Sequence, residues 1–318
     1  MSNYKIATRA SSLAKKQAAI FAELFSQMYP NDIFELLPMT TAGDHTPGLL
    51  YHLKKAFVGE LQLQVLNGTA DMAVHSLKDM SVFPTDSLFL ACVLARDEVR
   101  DVFVSQHYAS LAVLPDGACV GTSSARRVAQ IRAMYPQLKV KLCRGNVLTR
   151  LEKLQRSEFD ALILAGAGLQ RLGLLANGAA DLHIDFLSMA HYTPACGQGV
   201  IAVEISVDNI GLKDKLSELI HQETYQAIMI EREIVRRFGG NCSMPLGVHV
   251  AIGGSGYDVY VFLGDVFGKR WIKHQVFWSF SSSGYFEMID NLVEYVLSKG
   301  GKDILDRCHQ DLQQGFHD

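Results

Sequence analysis

Arginines recur where short β-rich runs give way to helical runs. Arg9 follows Lys5-Ile6-Ala7-Thr8, Arg126 and Arg127 open a helical run after Ala118-Cys119-Val120, and Arg144 closes the strand-like run from Lys139 to Cys143. Arg150 and Arg171 fall in the first turns of the helical runs that come next. In open α/β sheets the ligand crevice lies beyond the carboxyl ends of the strands, where helix N-termini add N–H donors and a favourable dipole. Guanidinium forks match carboxylates bidentately, so the set points to a small ligand with several carboxylates or phosphates. Any one of these arginines alone would read as a solvated helix start. Their recurrence at equivalent junctions is what carries weight.

Two further groups could do chemistry. Lys78-Asp79 follows the apolar strand interior Met72-Ala73-Val74. An acid held ionised among arginines could stabilise a cation or shuttle a proton, although a bare Lys-Asp pair is ordinarily a surface ion pair. Cys242 sits in Gly239-Gly240-Asn241-Cys242-Ser243-Met244-Pro245-Leu246-Gly247, with Arg236 and Arg237 just upstream to favour a thiolate. A loop thiol can be a nucleophile or a covalent attachment point, whereas a lone cysteine is more often packed and inert. Cys92, Cys119, Cys143, Cys196 and Cys308 stand in apolar or strand contexts and take that second reading. Gly166-Ala167-Gly168 follows a strand, but Arg171 occupies the third glycine position of a dinucleotide fingerprint, which speaks against nicotinamide binding.

The elements that must position these groups alternate between the two periodicities. After the first strand, Ser11 or Ser12 can cap a helix with Leu13, Ala14, Ala18, Phe21, Leu24, Phe25 and Met28 at helical spacing, ended by Pro30. A helix is expected from about Ala56 to Leu66, stopped by Asn67-Gly68, and then a strand Asp71 to His75. Gly121 to Ser124 reads as turn and cap, Ala125 to Tyr135 as a helix ended by Pro136, and Val147 to Gln155 as a helix after the turn Arg144-Gly145-Asn146. Asp160 to Ala165 is a buried-looking strand, and Gly197-Gln198-Gly199 is a tight turn or hinge before the strand Val200 to Ile205. From about Leu212 the texture changes: a helix through Ile234, then Tyr260, Phe262, Trp271, Phe277 and Trp278 in a small antiparallel sheet, then a closing amphipathic helix over 284–298. This is α/β architecture with a separate α+β region at the end.

The bulk numbers fit that reading. The chain has 318 residues, a net charge of −3, 48% hydrophobic and 20% charged residues, enough for two or three domains and no global pull toward nucleic acid or anionic membrane. No CxxC pair, HExxH or other metal spacing occurs, so no metal is expected. No apolar run reaches the length of a membrane span and the N-terminus lacks a signal-peptide core, so a cytoplasmic protein is expected.

Several segments together, in order and over nearly the whole chain, resemble the hydroxymethylbilane synthase (porphobilinogen deaminase) family. They are Thr8-Arg9 with Ser11, Leu13-Ala14 and Gln17; Phe57-Val58 with Glu60-Leu61; Ala73 to Asp79; Arg96-Asp97 with Arg100-Asp101; and Val120 to Arg127. Arg144 to Val147 with Thr149-Arg150-Leu151, Ala167 to Gly173, Gly197-Gln198-Gly199 and the Cys242 loop complete the set. The resemblance implies two periplasmic-binding-protein-like α/β domains plus a small C-terminal α+β domain: 1–94 with 195–213, 95–194, and 214–318. It implies a dipyrromethane held as a thioether on Cys242, on which four porphobilinogen molecules condense head to tail with loss of ammonia before 1-hydroxymethylbilane is hydrolysed off. Asp79 would stabilise the positive charge that develops when a pyrrole attacks an electron-poor azafulvene. Arg126, Arg127, Arg144, Lys78, Ser76 and Ser124 would hold the cofactor, and Arg9, Ser11, Arg150 and Arg171 the substrate, with Ser123 a secondary contact. A monomer working on a small molecule, without nucleic acid or membrane, is expected.

The chain departs from the family pattern at Asn241, where glycine is usual before the cysteine, and at Gly239, Gly59, Ala42 and Cys196. A rival reading, a non-catalytic two-lobed binder of polycarboxylates, explains the arginines but leaves Asp79, Cys242 and the last third unemployed. An RNA-binding reading conflicts with the acidic net charge and the lack of clustered stacking aromatics.

Overall fold

The computed structural model describes residues 2–40, 50–175, 181–240, 244–281 and 284–314. In chain order the strands are β1 (Asn3–Arg9), β2 (Ile33–Met39), β3 (Met72–Ser76), β4 (Leu88–Val93), β5 (Asp101–Ser105), β6 (Cys119–Thr122) and β7 (Lys139–Leu142). They continue with β8 (Ala161–Ala165), β9 (His183–Phe186), β10 (Ile201–Ser206), β11 (Leu246–Ile252), β12 (Gly256–Gly264) and β13 (Trp271–Ser279). The chain divides into one compact unit of Met1–Asp97 with Gly197–Gln226, and another of Glu98–Cys196 with Ala227–Asp318.

The first unit is built on a sheet of order β2-β1-β3-β10-β4. β1 runs parallel to β2 and β3, while β10 is antiparallel to both β3 and β4. The inner strands β3 and β10 read as near-continuous apolar runs because both faces are covered there. On one face the helix Ser12–Met28 lays Ala18, Phe21 and Phe25 against Ile6, Met72, Val74 and Val203. Each of the two phenylalanines is fully buried, worth roughly 1.5–3 kcal/mol of transfer free energy apiece. On the other face the helix Leu50–Leu66 buries Leu61 and Val65 with Ala7, Ala73 and Leu88. That helix starts six residues before the sequence places it.

The second unit contains a sheet of order β7-β6-β8-β5-β9. β6 is parallel to β7 and β8, and β5 is antiparallel to β8 and β9. Order and directions are therefore the same as in the first sheet, with β5 in the place that β10 holds there. Ile131 of the helix Ala125–Met134 packs with Phe103, Val120 and Ile163 on one face. Leu151 and Leu154 of the helix Val147–Gln155 pack with Val102, Leu162 and Leu164 on the other.

The same unit also holds a three-stranded antiparallel sheet, β11-β12-β13, with His249 opposite Tyr260 and Tyr260 opposite Gln275. The helix Tyr285–Val296 buries Ile289, Leu292, Val293 and Val296, and Lys302–Gln314 follows it as a further helix. The Cys308 thiol of that last helix donates to the Gly264 carbonyl at 3.7 Å. The single helix expected through Ile234 is two, Ile210–Ser217 and Gln222–Arg237. Among the described residues no helix is long and apolar enough to cross a membrane, and no cluster of side chains has metal-ligand composition.

Candidate functional site

In the first unit the parallel pairing of β1 with β3 brings Arg9 and Ser76 to one edge of the sheet, the carboxyl edge. Past Arg9 the chain turns at Ser11, whose Oγ accepts the Ala14 N–H at 3.3 Å and caps the helix Ser12–Met28. Thr8, fully buried, donates its hydroxyl to the Ala14 carbonyl at 3.2 Å and ties strand end to helix start. Past Ser76 the chain makes one 3-10 turn, Leu77–Asp79, closed by the Met80 N–H on the Leu77 carbonyl at 3.0 Å. Lys78 and Asp79 are half-buried on it.

The turn Gly197-Gln198-Gly199 supports that edge. Gly197 has φ +69° and a Cβ there would lie 2.8 Å from Leu77 Cγ, so both backbone and space require glycine. The Leu77 N–H donates to the Val200 carbonyl at 3.0 Å. Beneath lies a buried polar group: Gln62 Nε2 donates to both Glu204 oxygens at 3.0 and 3.1 Å, and His75 Nε2 stands 3.4 Å from Glu204 Oε2.

In the second unit the carboxyl ends of β6, β7 and β8 collect the remaining arginines. Ser124 is the N-cap residue of the helix Ala125–Met134, yet its hydroxyl makes no cap hydrogen bond. Ser123 precedes it, also half-buried. Arg126 and Arg127 turn inward. They meet Asp101, which the antiparallel run of β5 sets beside Ala165, at the edge where β8 ends. Arg127 uses Nε and Nη2 on Oδ1 and Nη1 on the Ile163 carbonyl; Arg126 Nη1 serves Oδ2 and the Thr193 carbonyl, each at 2.7 Å. Burial alone would raise the Asp101 carboxyl, but the two guanidiniums outweigh it and hold it well below the usual carboxylate range. Arg126 Nε is buried and makes no hydrogen bond to the described residues.

Arg144 follows β7 and is half-buried; its carbonyl accepts from Lys153 Nζ at 3.3 Å. Asn146 caps the helix Val147–Gln155 through the Thr149 N–H, and Arg150 Nε folds back on the Gly145 carbonyl at 2.8 Å. Arg171 is the last residue of the short helix Gly166–Arg171, not within its first turn, because that helix has only six residues.

Cys242 and Asn241 lie outside the described residues, as does Ala42, but the approach to the cysteine is clear. The helix Gln222–Arg237 ends in a Schellman motif: the Gly240 N–H donates to the Val235 carbonyl and the Gly239 N–H to that of Arg236, each at 2.9 Å. Gly239 is its left-handed residue, φ +64°, so glycine there has a backbone reason. On the far side, buried Glu231 accepts the Val250 N–H at 2.8 Å and faces His249 Nδ1 at 3.1 Å, bracing β11 against that helix. Of the other cysteines, Cys92 is buried with its thiol pushed up to about 12, and burial likewise raises Cys119 and Cys143. Burial disfavours the thiolate at all three, although Cys119 is only half-buried.

Sequence reasoning missed the partners of the arginines. Asp101 is visible as Arg100-Asp101 at the head of an apolar run, and an acid beside Val-Phe-Val signals a buried counter-ion. Gln130, whose Oε1 accepts the Thr193 N–H at 2.7 Å, and Glu231 leave no comparable signal, since amides and acids on helices are ordinarily exposed.

Taken together, these features define a two-unit α/β protein with cations and helix starts gathered at the carboxyl edges of parallel strands. Residues 4–214 match the family model described as porphobilinogen deaminase, dipyromethane cofactor binding domain. The porphobilinogen deaminase of Chromobacterium violaceum is 43% identical over 255 residues, 79% of this chain and 81% of the relative. That of Bordetella parapertussis is 42% identical over 271 residues, 84% and 85% of the two chains. The chain belongs to the porphobilinogen deaminase family. Among solved structures, the periplasmic VFT2 domain of Bordetella pertussis BvgS is similar at a TM-score of 0.43 and 19% identity, covering 68% of this chain and 86% of that one. A substrate-binding domain of a molybdenum ABC transporter from Clostridium difficile is similar at 0.44 and 13%, covering 71% and 96%. The fold rests on strand order and direction, not on likenesses of this degree.

Proposed function

We infer that this chain is a hydroxymethylbilane synthase: it joins four porphobilinogen molecules head to tail on a covalently bound dipyrromethane, releases ammonia at each addition, and frees 1-hydroxymethylbilane by hydrolysis. The observation that supports this best is the convergence of Arg9, Ser11, Ser76, Lys78 and Asp79 at one sheet edge, in a chain of this family. The residues fit the cofactor. A buried Arg126 Nε with no hydrogen bond to the described residues, next to a helix start without a side-chain cap, suits a carboxylate.

The bound dipyrromethane supplies the pyrrole carbon that substrate joins, anchored through the Cys242 sulfur. Arg126, Arg127, Arg144, Lys78, Ser76 and Ser124 hold its carboxylates, and Arg9, Ser11, Arg150 and Arg171 those of porphobilinogen. Arg126 and Arg127 do so from a fixed position, because Asp101 already takes up part of their donor capacity. The Asp79 carboxylate stabilises positive charge developing on a pyrrole ring, a fixed anion that costs no reorganisation at the moment of reaction. Three domains, 1–94 with 195–213, 95–194 and 214–318, are in keeping with the three sheets, and the enzyme acts as a cytoplasmic monomer on a small molecule, with no part for nucleic acid.

Intact mass of freshly purified protein tests this directly. The mass exceeds that of the sequence by one dipyrromethane, and Cys242→Ser removes the excess; a bare active wild type overturns the attachment. Asp79→Asn keeps fold and cofactor and loses turnover, and a normal rate in that variant overturns its role.

A further inference from the structure

The turn that carries Lys78 and Asp79 is held at its first residues from two directions. Gln17 lies on the helix Ser12–Met28, on the same buried face as Ala18, Phe21 and Phe25, and is 3% exposed. Its amide pairs both ways with Ser76: Nε2 donates to Oγ at 2.9 Å, and Oγ donates to Oε1 at 3.1 Å. Leucine or methionine would fill such a position with no polar atom to satisfy, whereas a buried amide is costly without its hydrogen bonds. The pairing accounts for glutamine there. Ser76 is the last residue of β3, and the next residue, Leu77, is fixed by the Val200 carbonyl and seated on Gly197. From Leu77 a single 3-10 turn leads to Asp79, leaving little backbone freedom between the clamp and the carboxylate.

We propose that Gln17 is a positioning residue for Asp79, acting through Ser76. The proposal rests on the reading of Asp79 given above. A carboxylate that must sit close to a charge developing on a ring loses effect with small displacements, so the clamp is felt in the chemical step more than in binding. Ser76 then serves first as the link between helix and turn.

Steady-state kinetics on the dipyrromethane-loaded enzyme test this. In Gln17→Met, kcat falls about tenfold while KM stays within about twofold and the intact mass keeps the cofactor. Ser76→Ala lowers kcat as well, and the double variant Gln17→Met with Ser76→Ala is no slower than either alone. A wild-type kcat in Gln17→Met, a change in KM alone, or losses that multiply in the double variant would each overturn the proposal. Should Gln17→Met fail to fold, a wild-type kcat in Ser76→Ala would overturn it too. A fully active Asp79→Asn removes the underlying reading of Asp79; an inactive Asp79→Asn beside fully active Gln17 and Ser76 variants removes the clamp alone.

Discussion

Asp101 receives two arginines on the two oxygens of one carboxylate: Arg126 Nη1 lies 2.7 Å from Oδ2, and Arg127 Nη2 lies 2.7 Å from Oδ1. All three side chains are buried. Removing the acid strands two guanidiniums in the interior. Asp101→Asn is expected to cost roughly 3–5 kcal/mol of stability, read as a lower midpoint in urea, because breaking one partner of a buried ion cluster leaves uncompensated charge. A loss below about 1 kcal/mol would mean that water reaches the cluster.

The same cluster sets an acid dependence. The Asp101 carboxyl is depressed in the folded protein, so its contribution is complete above the unfolded-state carboxylate range, near pH 4, and is lost as pH falls from there. The stability gap between wild type and Asp101→Asn therefore narrows from about pH 5 down to about pH 2. A gap that stays constant over that window contradicts the assignment.

Two glycines separate backbone strain from steric crowding. Gly239 has φ +64°, and a Cβ added there would meet no atom of the described residues within 4 Å, so Gly239→Ala costs about 1 kcal/mol, from conformation alone. Gly197 has φ +69° with Leu77 Cγ at 2.8 Å, so Gly197→Ala costs more and also lowers turnover by displacing the turn beneath Asp79. Denaturant midpoints together with rates distinguish the two; equal effects would deny the Leu77 contact its part.

Arg144→Leu is expected to leave folding nearly unchanged, since Arg144 is half-buried at a strand end, and to hinder cofactor assembly or chain growth. Mass spectra of the variant, before and after incubation with porphobilinogen, would show an incomplete cofactor or stalled intermediates. Full loading with normal turnover takes Arg144 out of the site.

Much of the fold is legible in the residues alone. The helix Val147–Gln155 has the bounds that its cap and turn suggest, because Asn146 and Gly145 punctuate it unambiguously. Strands β2, β4, β5 and β9 are not: Ile33–Met39 carries a proline, Asp101–Ser105 opens on a charge, and short strands of mixed pattern resemble loops until neighbours pair with them. The helix Lys302–Gln314 is hidden because Gly300 and Gly301 read as a terminus, whereas the chain passes through Gly300 at φ +101° and resumes. In the site, residue types are readable and partners are not. Arginines that look like a uniform set of ligands divide into two that are anchored on an acid and others nearer the surface, a distinction made by β5 running antiparallel.

The strand order of the first sheet also bears on how the protein emerges from a ribosome. β4 does not pair with β3; β10, made after every strand of the second sheet, lies between them. A nascent chain that has extruded everything up to β9 still has a gap in its amino-terminal sheet, with two unsatisfied strand edges facing it. The amino-terminal half thus finishes folding after the middle of the polypeptide, and truncation anywhere ahead of Ile201 would leave it exposed to aggregation and proteolysis.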